Sequence, residues 1–479
     1  MCIRDRNASL PSIQADLGSN INQLQWTMAG FGLLFCSFLV IMGRLGDIYG
    51  RKKFLIYSLI GFSIASIGAG LANTPNFLIF TRMLQGFFGA AILPCGTALT
   101  ANEFPNEEQG RALGIYGSLV GIGIGFGPII GGIIDTTLNW RWIFFINVPI
   151  IFISLMLCLP TVTESKLAHK VKVDWLGAIF LALCLGGLTF TISEVSVYGL
   201  NSPAIAASVL ITLFSFLLLM FYEKKSATPI IPLKLFRNSK FLLATIIYAG
   251  AVAFHWPVLF LMPIYLHNIA GYNSEYTSLL LASMTLMTII SPILAGYFYD
   301  KKSKTLSIHL IFILNIISLI LFFQLNENGL LLIILPSFIL FGLAWGIGNG
   351  IATPVALSGL SNNDDAGVVS GALTTILNIF TVLSLSASVA IFQYVEKFKF
   401  IKKASLILPN ETINTITMQP GGDIAKKILS TVPTAMSGEI LNIYRESFIY
   451  GINITYILIL ILTAVCWMLA KSLLKKSPI

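Results

Sequence analysis

Gly43-Arg-Leu-Gly-Asp-Ile-Tyr-Gly-Arg-Lys-Lys53 stands between two long apolar runs, 26–42 and 54–71. Five charged residues in so short a stretch cannot sit in hydrocarbon, so it must be a surface turn joining two buried segments. Its glycines allow a tight turn and close helix approach. Asp47 falls where a carboxylate can meet the positive N-terminal end of a neighbouring helix. Arg51, Lys52 and Lys53 suit an anionic lipid surface. On physics alone, a plain charged turn between two spans explains the stretch equally well.

The flanking runs are repeated along the whole chain. A helix needs about 20 apolar residues to cross the hydrocarbon core, and thirteen such runs occur: 26–42, 54–71, 77–99, 112–134, 142–159, 175–192, 203–222, 241–266, 276–298, 308–323, 330–354, 367–393 and 448–470. Of the 479 residues, 56% are hydrophobic and 11% charged, and mean hydropathy is +0.84. Soluble domains are about 25% charged. A large soluble enzyme and a disordered chain are both excluded, leaving an all-α integral membrane protein. The six cysteines form neither a CxxC pair nor a His/Cys cluster, so no metal site and no cofactor are expected.

No full span fits before residue 26. Arg4, Asp5 and Arg6 would each be costly at a helix centre, whereas 7–13 read as the outer end of a spanning helix. The expectation is an N-terminally incomplete first helix, fourteen spans in the whole protein, and no signal peptide.

With 43–53 on the cytoplasmic side, nineteen Lys and Arg fall on that side and eight on the other, seven of these in segment 396–446. The positive-inside rule favours this arrangement, with the C-terminus cytoplasmic as well. Loop placement therefore accounts for the net charge of +9 without a nucleic-acid partner.

A worn echo of the opening stretch, Gly296-Tyr-Phe-Tyr-Asp-Lys-Lys302, follows 253 residues later, 43 to 296. Eight spans separate the two, as expected for repeated six-span halves with two spans inserted. The predicted organisation is an N-terminal bundle over 1–160, a two-helix linker over 161–235, and a C-terminal bundle over 236–479. The last contains a long outer loop, 396–446, read as a flexible segment.

Three further features bear on function. Arg82 lies inside a span, where a guanidinium normally faces a cavity or a partner, or snorkels to the headgroups. Run 112–134 carries Gly117, Gly121 and Gly125, then Gly123, Gly127 and Gly131, each series at four-residue spacing, which allows close helix packing. Pro128 in the same run can kink it. His255 falls mid-span in Phe254-His-Trp-Pro257 and could titrate in a cavity or simply pack neutral. Trp345, Asn378, Asn315 and Gln85 either pack between helices or line a path. Asp47, Asp135, Glu194, Glu275 and Asp300 sit at run ends and read as rim residues.

The opening stretch resembles the G-x-L-x-D-x-x-G-R-K signature of the major facilitator superfamily at Gly43, Leu45, Asp47, Gly50, Arg51 and Lys52. The resemblance implies that this loop biases the inward/outward equilibrium. Arg82, Gln85 and Gly86 match the family's R-x-x-Q-G motif, linked there with proton transfer. Gly121, Gly125, Gly127, Pro128, Gly131 and Gly132 resemble the antiporter motif of its drug exporters. The stretches 139–149 and 232–238 look like segments of 14-helix drug:proton antiporters of the EmrB/QacA type.

The resemblance implies two six-helix bundles with two linker helices, in a multi-pass protein of the cell (inner) membrane. It further implies a secondary transporter exporting small amphiphilic molecules in exchange for protons by alternating access. A transporter of one specific metabolite and a non-transporting sensor are the alternatives. His255, Trp345 and Asn378 are the candidate cavity residues. No HExxH, Walker loop or Ser/His/Asp cluster supports an enzyme. The outer segment offers a contact for a periplasmic adaptor, with nothing specific to identify one, and oligomeric state is not encoded legibly.

Overall fold

The computed structural model describes residues 10–103, 119, 123, 127, 130–165, 174–199, 201–225, 233–252, 254–301, 304–327, 329–358, 366–409, 412–413, 428 and 432–476. These residues are almost entirely helical. In chain order the helices are α1 (Leu10–Leu17), α2 (Ile21–Tyr49), α3 (Arg51–Gly70), α4 (Pro75–Glu103), α5 (Trp142–Phe145), α6 (Asn147–Thr161), α7 (Trp175–Tyr198), α8 (Pro203–Lys225), α9 (Ser239–Ile247), α10 (His255–Asn268), α11 (Ser274–Lys301), α12 (Lys304–Phe322), α13 (Leu331–Leu357), α14 (Ala366–Ala404) and α15 (Thr434–Lys476). Residues 130–137 form a further helical stretch. Among the described residues, eleven helices are long and apolar enough to cross a membrane. Large apolar side chains such as Leu210, Phe214, Leu217 and Phe221 of α8 are exposed, as a lipid-facing surface requires.

Local chemistry sets the element ends. Asn20 and Gln23 make a reciprocal capping box at the start of α2: Gln23 N donates to Asn20 Oδ1 at 2.7 Å, and Asn20 N donates to Gln23 Oε1 at 3.0 Å. Asp174 caps α7 by accepting from Gly177 N at 2.8 Å. Asn238 caps α9 in the same way, accepting from Lys240 N.

Helices α2, α3, α4 and α6 pack together, and α9, α11, α12, α13 and α15 form a second group that also holds α14. The inserted pair, α7 and α8, packs on itself, and α7 also touches α2 and α14. The two groups share an internal geometry. A Cβ placed on Gly86 of α4 would lie 2.2 Å from the carbonyl oxygen of Phe31 in α2. One placed on Gly342 of α13 would lie 2.1 Å from the carbonyl oxygen of Met284 in α11. The glycines stand 256 residues apart (86 to 342) and their partners 253 apart (31 to 284). The second offset equals the 253-residue spacing of the echoed turn motif and the first exceeds it by three, so the sequence echo has a counterpart in helix packing.

Two sequence expectations change. The run 241–266 is two helices, α9 and α10, joined through a π-turn at Tyr248–Val252. Pro257, near the start of α10, has no backbone N–H with which to continue the hydrogen-bond ladder. The segment 396–446 is not simply a flexible loop. Helix α14 continues to Ala404 and α15 begins at Thr434, and Lys403 forms an ion pair with Glu446 across them. Phe400, Ala404, Leu408, Ile440 and Tyr444 are buried in one apolar cluster. The lysines that suggested a loop are half-buried or exposed along this helical extension, while Glu396, Phe400 and Ala404 form its buried stripe.

Candidate functional site

Arg82 is only 2% exposed, and Gln85 is fully buried. Burial is sustained by hydrogen bonds on every side. Arg82 Nε donates to the Thr27 carbonyl at 3.0 Å, and Arg82 NH1 donates to Gln85 Oε1 at 2.6 Å. Gln85 Nε2 passes the chain on to Ser66 Oγ at 2.6 Å. The guanidinium carbon also stands 4.5 Å from the centroid of the Phe31 ring. Helices α2, α3 and α4 are thereby tied at one level of the bundle. Gly86 lies on α4 next to this network, where contact with the Phe31 carbonyl leaves no room for a side chain.

Arg82 borders two spaces. The larger is a cavity of about 490 Å³, its open mouth included, lined by Met28, Phe31, Phe35 and Arg82 from the first half and by Trp256, Asn378, Thr381 and Leu385 from the second. The smaller lies between α1, α2, α4 and Phe144. Among the described residues, none that lines either space is acidic. By its described residues, the main cavity is a mostly apolar chamber between the repeated groups, with one guanidinium and a carboxamide in its wall.

Of the three cavity residues expected from sequence, Asn378 lines the chamber. His255 and Trp345 do not line it. His255 is fully buried and stacks between Phe341 (6.0 Å between centroids) and Trp345 (4.9 Å) inside the second group. Trp256, the neighbour of His255, faces the chamber instead, because α10 turns successive side chains by about 100°. Asn315 donates to the Ala251 carbonyl at 3.2 Å, a helix-packing role.

The turn motif closes at the far end of α2. Gly50 has φ of 107° and separates α2 from α3, a backbone conformation that glycine adopts without strain. Asp47 and Arg51 form an ion pair at 2.7 Å. The helix N-terminus that the sequence assigned to Asp47 is occupied by Glu164, which accepts from Lys52 N at 3.0 Å and Lys53 N at 3.1 Å. Lys52 Nζ donates to the Leu159 carbonyl at the end of α6, and Arg51 N donates to the Ser165 carbonyl at 2.9 Å. Arg44 lies in the field of Asp174 and Glu223 at the near ends of the inserted pair, as well as of Asp47. The loop thus meets both the end of the first bundle and the inserted helices. Close by, Thr163 donates twice to Glu103, whose carboxyl is held below its ordinary range by those hydrogen bonds.

Gly121, Gly125 and Pro128 lie outside the described residues. Gly127, Gly131 and Gly132 are buried. A Cβ on Gly132 would come within 1.7 Å of Ser278 Oγ in α11, so this glycine allows the two halves to touch.

Two residues were passed over in the sequence. Glu164 sat in a charged linker and carried no motif. Asp16 accepts from Trp140 Nε1 at 3.0 Å and from Arg141 NH1 at 2.5 Å. It joins α1 to the Asn139–Trp142 turn, and only the tertiary arrangement brings these positions together.

The sequence pattern of the Major Facilitator Superfamily matches residues 7–385. The chain is 32% identical to multidrug resistance protein 3 of Bacillus subtilis over 299 residues, covering 62% of this chain and 58% of that one. The matched stretch thus spans less than two thirds of that relative. It is 28% identical to the riboflavin transporter RibZ of Clostridioides difficile over 413 residues, covering 85% and 89%. A bacterial homologue of the human lysosomal transporter Spinster, solved in an inward-facing and occupied conformation, superposes over the whole chain and 95% of its own, with TM-score 0.66 and 15% identity. Apolar helices, twin close contacts and matched motifs lead to one statement: the chain is a multi-pass membrane protein of the major facilitator superfamily, similar to its EmrB/QacA-type members.

Proposed function

We propose that this protein exports small amphiphilic molecules, drugs among them, across the cell membrane in exchange for protons, by alternating access. The observation that carries this reading is the chamber between the two repeated groups, whose walls include Arg82 and Asn378 from opposite halves. A solute held there contacts both halves at once, so rocking one against the other changes the side to which it is exposed. Relatives named for multidrug resistance support export. The lining supports a substrate class: Phe31, Phe35, Trp256 and Met28 suit planar apolar bodies. Arg82 is the charged group among the described lining residues, and a guanidinium there favours neutral or anionic ligands over cations. In this reading the Gly43–Lys53 turn is cytoplasmic, and Asp47 and Arg51 bias the state equilibrium.

A transporter of one aromatic metabolite is the second reading. It is favoured by the match to the riboflavin transporter along most of both chains.

Proteoliposomes with an imposed pH gradient and a panel of cationic, neutral and anionic dyes test both. Proton-driven movement of several neutral or anionic dyes is expected. Transport of riboflavin alone would favour the second reading, and movement indifferent to the pH gradient would refute proton exchange. Arg82→Ala is expected to insert normally and lose transport, since it strands Gln85 and the Thr27 carbonyl. Arg82→Lys should not restore it, because an ammonium cannot reproduce the two divergent guanidinium bonds. Full activity in both Arg82→Ala and Asp47→Asn would count strongly against the mechanism.

A further inference from the structure

One polar layer joins all three parts of the chain at the end of the bundle opposite the Gly43–Lys53 turn. Glu194, near the end of α7, accepts from Trp26 Nε1 at 3.3 Å and from Asn22 Nδ2 at 3.2 Å, both on α2. Asn22 Nδ2 also donates to the Ser193 carbonyl, and its Oδ1 accepts from Gln393 Nε2 of α14 at 2.6 Å. Beneath them Gln25 Nε2 donates to Ser193 Oγ at 2.6 Å and to Ser386 Oγ at 3.0 Å. Gln25, Ser193 and Ser386 are fully buried. The chamber begins directly below, at Leu385 beside Ser386 and at Met28 one turn from Gln25, so this layer roofs it. The sequence placed Glu194 on the rim. The structure places it half-buried at a junction where first half, inserted pair and second half share hydrogen bonds.

The chemistry of the layer depends on the charge of Glu194. As a carboxylate it only accepts, which suits the two N–H donors aimed at it. Once protonated it has a donor of its own and lower affinity for both N–H groups, and buried polar networks are costly when half satisfied. The charged groups on the packed helices lie elsewhere. The charges of α2 are Arg44 and Asp47, at its other end, and those of α8 are Glu223, Lys224 and Lys225, also at its other end. On α14, Glu396 has its Cβ 3.1 Å from the Cβ position of Gly451 in α15 and so is directed at that helix, and Lys397, one turn beyond Gln393, lies in the field of Glu396. Of the titratable side chains described on the packed elements, none offers Glu194 an ion pair.

We infer that Glu194 is a proton-binding group of the transport cycle, and that the inserted pair uses it to fasten the roof of the chamber. Ionised, Glu194 holds Asn22 and Trp26 and keeps α2, α7 and α14 together. A proton taken from the water at that end neutralises it and frees the halves to part. The inserted helices thereby acquire a part in coupling. The inference rests on the proton-exchange reading above, and its test separates the two.

The protein in lipid is followed by infrared difference spectroscopy through steps of pH, without substrate. The same liposomes are assayed for uptake of the dye found to be transported. Wild type should show a protonated-carboxyl band that titrates, and Glu194→Gln should lack it. Glu194→Gln should also lose about tenfold of pH-driven uptake, inside the range of ordinary two-site coupling, and flatten the pH profile while still binding dye. Glu194→Asp should restore a pH profile with a displaced midpoint, and Trp26→Phe should move the midpoint of the band without removing it. If Glu194→Gln keeps the band and the wild-type profile, the inference is overturned. If no pH gradient moves dye in wild type but the band is still lost in Glu194→Gln, proton exchange fails and the titrating site stands.

Discussion

At the scale of single residues, the decisive contacts are those where one atom more would not fit. Gly86 is the sharpest case, because a Cβ there meets a backbone carbonyl, which cannot swing aside as a side-chain tip could. Gly86→Ala should therefore separate α2 from α4 and destabilise the protein by about 1–3 kcal/mol, read as a lower melting temperature in detergent. An unchanged melting temperature would mean that the helices do not approach as described. Arg82 shows the complementary principle. An isolated guanidinium in a membrane span is costly, yet here it meets a carbonyl, a carboxamide and an aromatic face. The motif Arg-x-x-Gln-Gly supplies three coordinated solutions, a charge, its hydrogen-bond partner and the space for both, on adjoining faces of α4.

At the scale of elements, the start of α3 shows how a helix end becomes a joint. Gly50 breaks the helix, Asp47 holds Arg51, and Glu164 arrives from beyond α6 to satisfy the first N–H groups. Glu164→Ala is expected to cost about 1 kcal/mol of stability, as loss of a helix cap usually does. If the joint also biases the transport states, the variant will change the labelling rate of a cysteine placed in the chamber, for example at Thr381. A fall in stability with unchanged labelling would reduce Glu164 to a cap. The continuation of α14 and the start of α15 teach a different lesson. Their charges read as loop because they were counted along the chain, whereas the helix leaves its lysines toward the outside and buries Phe400 and Tyr444, with Glu396 one turn before Phe400.

At the scale of the whole molecule, the two halves meet at the roof above the chamber and at Gly132 against Ser278. Alternating access requires at least one of these contacts to open. A cysteine pair at Gln25 and Ser386, which share a hydrogen bond of 3.0 Å, should be bridged by a short bis-methanethiosulfonate reagent that spans the length of the lost glutamine side chain, and this should stop transport until reduction releases it. Transport that continues with the pair fully cross-linked would place the moving contact elsewhere.

Composition alone made this a membrane protein, because a chain with 11% charged residues cannot clothe a soluble surface. The repeated spacing of turn motifs exposed two matched halves, since duplicated helices keep their register. Arg82, Gln85 and Gly86 drew notice because a charge within a span has few explanations, and Asp47 and Arg51 because five charges in so short a stretch must form a surface turn. Glu194, Glu164 and Asp16 were not legible. Each gains its meaning from a partner more than a hundred residues away in the chain, Asn22 and Trp26, Lys52 and Lys53, or Trp140 and Arg141. His255 went the other way, a titratable ring at mid-span that packing turned into core. Local pattern determines which segments enter the bilayer, because transfer to hydrocarbon is a property of each segment alone. Which polar groups then meet depends on how the helices pack, and that only the tertiary structure decides.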